Sequence, residues 1–271
     1  MATSGDYLTK LDGARRHLDN LDIEIEKWFH QDHYTLLVEN DPKGGPEDWQ
    51  IRMVADNPPP HWPIMIGDIL HNLRGALDHL IFALASAYSP HPLTKQITEK
   101  SEFPIYGDKR SEGVIVVEAR YCGDITRKLG GIAPKAKAII QSLQPYHAGD
   151  AYVSKPLWQL HELSNIDKHR LLLICAFSSR SAMYNISSGS NFDFTGGNAV
   201  YNARLKPDAV VMRFTGRKRD PRKKMNVEFY PLAEAIFDGA PIVDGKDVIV
   251  TLNALFDYVR VDVIPPLVKF L

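Results

Sequence analysis

At 271 residues the chain is long enough to bury a substantial core, as one large domain or two small ones. Its 32 Lys and Arg face 33 Asp and Glu, a formal charge of -1, so no global basic field draws it to nucleic acid and such a role has to rest on a local patch. Two cysteines outside any CxxC pair, Cys122 and Cys175, exclude a disulfide framework and a cysteine zinc site; with a polar opening segment and no apolar run of ~18 residues, a soluble cytoplasmic protein with no membrane contact is expected.

Taken in chain order, Leu8, Leu11, Ala14, Leu18, Leu21, Ile25 and Trp28 recur near helical period and predict a long amphipathic helix over 6–30. The runs 33-HYTLLVEN-40 and 49-WQIRMVAD-56, joined by the turn-forming DPKGGPED, predict a β-hairpin that 58-PPP-60 ends. A second helix is expected over 62–87, with Pro63 tolerated in its first turn, and then a proline-punctuated loop over 88–112. Helices follow near 113–129, 134–143 and 154–172, the last with Ser154 as N-cap. Beyond Leu173 the segments 171–179, 182–189, 199–205, 208–216 and 225–230 alternate or run apolar between Gly, Asn and Ser, the pattern of an antiparallel meander. A final helix is expected over 248–262. The fold class is therefore α+β, with a helical region over 1–173 carrying an N-terminal hairpin insertion, and an antiparallel β region with a closing helix over 174–271.

Within 67-GDILHNLRGALDHLIFALA-85, Ile69, Leu70, Leu73, Leu77, Leu80, Ile81 and Leu84 fill one arc of the helix. His71, Asn72, Arg74, Gly75, Asp78 and His79 fill the other. That arc holds no Lys or Glu, and its residues make fixed, directional hydrogen bonds. Gly75 in its middle costs about 1 kcal/mol of helix propensity against Ala and would let a backbone or ligand come close. The stretch 156-PLWQLHELSNIDKHRLLL-173 is apolar nearly all round, yet His161, Asn165, Lys168 and His169 share one stripe. Buried polar groups need partners, so His71, Arg74, Asp78 and His79 are expected to face His161, Asn165, Asp167, Lys168 and His169. Asp78 would pair with Arg74 or Lys168, and Asp167 or Glu162 with a histidine.

These two blocks resemble GDxxHNLRxALDH and LHxLxNxDKHR stretches of a bacterial protein family without an assigned activity, a likeness that runs over most of the chain. It marks Asp68, His71, Asn72, Arg74, Asp78, His79, Asn165, Asp167, Lys168, His169 and Arg170. Arg74 followed by His79 is also similar to the Arg/His motif of HEPN-type helical domains, many of them metal-independent ribonucleases. Gly75 departs from that motif, which often has a polar residue there, and the β-rich second half lies outside a minimal HEPN domain. The resemblance implies that His79 acts as acid or base on RNA, that Arg74 and Lys168 stabilise transition-state charge, and that the site forms in a homodimer.

The run 216-GRKRDPRKKM-225 reads as an exposed hairpin tip whose Arg217, Lys218, Arg219 and Arg222 would hold RNA or another anionic partner over 217–224. No metal is expected, because His71/His79 and His161/His169 each span about 12 Å along one helix and no HExxH occurs. No cofactor is expected either: there is no phosphate loop, GxSxG elbow or Rossmann fingerprint, and 195-TGGN-198 reads as a turn. Two functions fit these residues: a HEPN-like ribonuclease, or a non-catalytic binding or scaffold protein in which the His/Arg/Asp/Asn network is structural.

Overall fold

A computed structural model describes residues 5–31, 33–107, 110–111, 114–115, 127–170, 173–175, 182–185, 192–199, 209–220, 222, 228–231 and 234–271. The architecture is α+β. Helix α1 (Asp6–Phe29) buries the stripe Leu11, Ala14, Leu18, Leu21 and Ile25 against α2 (Trp62–Tyr88), and Pro63 occupies the first turn of α2, where its missing N–H has no helical partner to lose. Between them the hairpin of β1 (Tyr34–Asn40) and β2 (Asp48–Ala55) pairs in full register from Tyr34↔Ala55 to Asn40↔Trp49. Among the described residues no helix is long and apolar enough to cross a membrane.

The region after α2 differs from its expected form. The 88–112 stretch contains a short helix, α3 (Lys95–Lys100), capped by the Thr94 hydroxyl accepting from Ile97 N–H. Where a helix was expected over 113–129, β3 (Arg110–Ser111) pairs with β4 (Val114–Ile115), and 116–126 lie outside the described residues. Val114 and Ile115 are β-branched and stiff at χ1, which favours the extended form over a helix. Helix α4 (Pro134–Ser142) forms as expected, a 3₁₀ segment covers Pro145–Ser154, and α5 (Pro156–His169) follows. Ser154 is not the cap: its hydroxyl donates to the Ala151 carbonyl inside the 3₁₀ segment, and Lys155 holds the N-cap position.

The strands of the second half are β5 (Leu173–Cys175), β6 (Ala182–Asn185), β7 (Phe192–Ala199), β8 (Ala209–Lys218), β9 (Glu228–Pro231) and β10 (Ile236–Asp238). Their pairing is nested: β5 with β10, β6 with β9 and β7 with β8, all antiparallel. The chain thus runs out along one side and returns along the other. Strand β8 also pairs with β2, giving a four-stranded sheet of order β1-β2-β8-β7 that joins the early hairpin to the late strands. Residues 195–198 are strand rather than turn. Gly196 and Gly197 pair with Thr215 and Phe214 just past a register shift at Phe194, and a Cβ on Gly197 would come within 3.0 Å of the Phe214 Cβ. Here glycine serves close packing between strands. Of the expected strand 199–205 only Ala199 is described. The basic run 216–225 begins on β8, whose described pairings are with β2 and β7, while β9 pairs with β6; 221 and 223–225 lie outside the described residues.

The last helix, α6 (Val248–Asp257), is capped by Asp247 accepting from Val250 N–H at 2.6 Å. It does not stop at 262. It widens into a π-type segment over Tyr258–Val263 and tightens again as α7 (Ile264–Leu267). Pro265 and Pro266 cannot donate to the preceding turn, so the ladder there has to shift its partners. Arg15 of α1 clips α6 by donating to Asn253 Oδ1 at 2.8 Å and lying over the Phe256 ring.

Gly216 of β8 sits under Phe192, where a Cβ would run into that ring and the Asp193 carbonyl oxygen. Gly216→Ala is expected to lower stability by about 2 kcal/mol, as overpacking of a filled site does; the shift of the urea midpoint measures it.

Candidate functional site

Helices α2 and α5 enclose a cleft of 410 Å³ lined by Leu70, His71, Arg74, Gly75, Asp78 and Glu102 on one side and by His161, Ser164, Asn165, Asp167 and Lys168 on the other. Helical spacing explains this set. On α2, residues 71, 74 and 78 fall within about 60° of arc, and on α5 residues 161, 165 and 168 do the same. His79 and Asn72 belong to a different flank. About 140° of turn separates Arg74 from His79; Asn72 Oδ1 lies 3.3 Å from where a Gly13 Cβ would stand, on the α1 side. The polar arc of α2 is therefore split, one half facing α5 and the other α1. His169 lies exposed in the last turn of α5, and Arg170 ties the end of that helix to the Gly239 carbonyl at 3.2 Å.

Arg74 organises the wall of the cleft. Its side chain is 13% exposed, and Nη2 donates to the Phe103 carbonyl at 2.9 Å and to Glu102 Oε1 at 3.1 Å, with Asp78 Oδ1 at 3.4 Å. Asp78 Oδ1 in turn accepts from Phe103 N–H at 2.9 Å, while Glu102 Oε2 reaches Lys128 at 3.2 Å. Nη1 of Arg74 is buried and has no hydrogen-bond partner among the described residues. Five guanidinium donors demand acceptors, and an unmet buried donor costs about 1–3 kcal/mol. This edge of Arg74 is the least satisfied polar group of the site.

The segment that brings Glu102 and Phe103 to Arg74 is held by Gln144, a buried residue. Its amide donates to the Pro104 and Ile140 carbonyls at 2.9 and 3.0 Å and accepts from Tyr106 N–H at 3.1 Å. Glu102, Lys128, Gln144 and Ser164 carried no signal in the sequence blocks, because their partners lie 24 or more residues away or on their own helix. Gly75 lines the cleft, but a Cβ there would meet only the aliphatic chain of Lys10, at 3.5 Å, an ordinary contact. The close approach falls at Gly67 instead, where a Cβ would stand 2.7 Å from the Asp167 carboxylate.

Burial sets the electrostatics of the cleft. It lowers the His161 pKa from 6.5 to about 4, and the positive charges of Arg74, Lys168 and Lys128 push the same way. The imidazole is thus neutral near pH 7. Asn165 Nδ2 donates to its Nε2 at 3.0 Å, which leaves the proton on Nδ1. Burial raises the Asp78 carboxyl above its usual range against the opposing pull of Arg74 and the Phe103 N–H. Asp167 is raised too, first by burial and then by the charge of Asp68, with His71 opposing. Among the described residues neither Asp167 nor Glu162 forms an ion pair with a histidine; Glu162 lines a cavity on the other flank of α5. No group of three or more His, Cys, Asp or Glu with metal-holding geometry occurs among those residues.

The basic run starts on β8. Arg217 is exposed, Lys218 lies over the Trp49 ring at 4.8 Å, Arg219 pairs with Asp193 at 2.6 Å, and Arg222 is in the turn that follows. Comparison of the chain with protein-family models, with curated proteins and with solved structures finds no match in any of the three.

His161 makes the fold acid-sensitive. Its folded pKa lies below its unfolded one, so the unfolded chain binds more protons between about pH 4 and 6.5. Stability is highest above that window and falls through it, by roughly 2 kcal/mol from this residue. His161→Gln should flatten that slope in denaturation curves taken across the window.

Proposed function

We propose that the α2–α5 cleft is an oxyanion site and that its substrate class is RNA, cleaved without a metal. The observation that carries this is Arg74 on the wall of a cleft that also holds two imidazoles and Lys168, with its Nη1 buried and unpartnered among the described residues. A phosphodiester offers the charged acceptors that this edge lacks. The 2'-hydroxyl gives its proton to His71, its oxygen attacks phosphorus, and the bond to the 5'-oxygen breaks to leave a 2',3'-cyclic phosphate. Asp167, titrating above its usual range, returns a proton to the leaving 5'-oxygen. Arg74 and Lys168 balance the charge that grows on the phosphoryl oxygens. Arg217, Lys218 and Arg222 add a cationic surface for flanking nucleotides, whose hold weakens as salt rises.

This reading keeps Arg74 of the HEPN resemblance and moves the proton transfer from His79 to His71. The homodimer that the resemblance implies belongs to the same proposal, and a solution mass of one chain would remove it. A second reading has support of its own. Arg74 Nη2 is saturated by Glu102, Phe103 and Asp78, so the network also works as a clip that holds 101–107 onto α2, as a purely structural site would.

Incubation of mixed RNA with the protein in EDTA separates the two. Cleavage should fall at least about 100-fold in His71→Ala and in Arg74→Ala, with the melting temperature of His71→Ala unchanged because this residue is exposed. No cleavage by the wild type, or equal cleavage by all three, would end the nuclease reading. A large drop in the melting temperature of Arg74→Ala alongside either result would favour the clip.

A further inference from the structure

Helix α5 has a second cavity on its opposite flank. It measures 590 Å³ and is walled by Tyr152, Trp158, Ile166 and Ile242, with Glu162 and Lys246 at its edge. A volume of this order, with mostly apolar walls and few polar groups, is typical of small-molecule sites. Tyr152 and Trp158 meet edge to face at 5.2 Å and 71°. Gly107 packs tightly behind them, since a Cβ there would lie within 2.6 Å of the Tyr152 ring and 2.9 Å of the Trp158 ring.

Gln159 turns this from an apolar hollow into a specific site. It lines the cavity and is only 8% exposed, yet its side-chain amide makes no hydrogen bond among the described residues, in contrast to the fully engaged amide of Gln144. The amide atoms are not sealed off from the cavity, so they are free to pair with a ligand there. Within one plane a glutamine amide presents a carbonyl acceptor beside an NH2 donor. Its complement is a flat edge with a donor next to an acceptor, and the aromatic and aliphatic walls suit the faces of a planar ring.

We propose that this cavity binds a nucleobase-type heterocycle, with the Gln159 amide reading the ring edge and Tyr152 and Trp158 forming the aromatic wall. Adenine fits the amide in the bidentate manner by which glutamine recognises that base. The site is separate from the Arg74 cleft and does not depend on the nuclease reading.

Adenosine is the probe, titrated calorimetrically into the full chain and into Gln159→Leu, which keeps the bulk of the side chain and removes both polar atoms. Wild-type protein should bind, and Gln159→Leu should bind at least about tenfold more weakly. Without ligand, Gln159→Leu should melt no lower than the wild type, because the amide it lacks had no internal partner. The proposal is overturned by absence of binding, by equal affinity in Gln159→Leu, or by a lowered melting temperature of that variant.

Discussion

A guanidinium carries five donors in a rigid fork and cannot shed its charge, so burying one dictates the chemistry around it. Arg74 is buried halfway along α2, and much of the surrounding structure answers to that. Two carboxylates, Asp78 and Glu102, and the Phe103 carbonyl converge on its Nη2. Asp78 comes from α2 itself, while Glu102 and Phe103 come from the segment beyond it, which Gln144 fixes in place through three hydrogen bonds. Lys128 then balances the second oxygen of Glu102. Nη1 is buried without a partner among the described residues, in a side chain that borders the cleft together with His161, Asn165 and Lys168 of α5. A fully paired arginine would make this network a clip. The unpartnered Nη1 is the feature on which the proposed site rests.

The same helix pair explains how the polar residues are shared out. Helix α2 packs on α1 through one flank and borders α5 through another, so its polar arc divides between two neighbours. Asn72 goes with α1; His71, Arg74 and Asp78 go with the cleft, which His79 does not line. Helix α5 divides likewise. Its 161, 165 and 168 stripe closes the Arg74 cleft, while 158, 159, 162 and 166 form the aromatic cavity. Two cavities of different chemistry thus share one helix, with the Trp158 and His161 rings 5.3 Å apart between them.

The facing of His71, Arg74 and Asp78 with His161, Asn165, Asp167 and Lys168 was legible in the sequence because helical period alone decides which residues share a stripe, and because a mostly apolar helix with a polar stripe has to turn that stripe to a partner. Period sets His79 about 140° from Arg74, but it does not say which neighbour each end of so wide an arc faces. Residues 114–115 and 195–198 misled for local reasons. The apolar run at 114 suits either period, and two adjacent glycines signal a turn unless a bulky strand such as β8 needs them flat against it. The nested strand order depends on pairings between segments many residues apart, which no local pattern encodes. Gln144 and Glu102 act only through such distant partners. Gln159 lay hidden in plain view, since a glutamine on an apolar helix reads as surface until its burial is known.

Anion binding at Arg74 Nη1 is the property on which the proposed chemistry rests. The most direct measurement follows the guanidinium resonances of Arg74 by NMR while a non-cleavable dinucleotide phosphodiester is added to the full chain. A new charge-assisted hydrogen bond should shift these resonances and slow rotation of the Nη1 group, with the assignment checked by their absence in Arg74→Lys. Arg74 resonances that stay unmoved while the ligand is shown to bind elsewhere, or is shown not to bind at all, would contradict it.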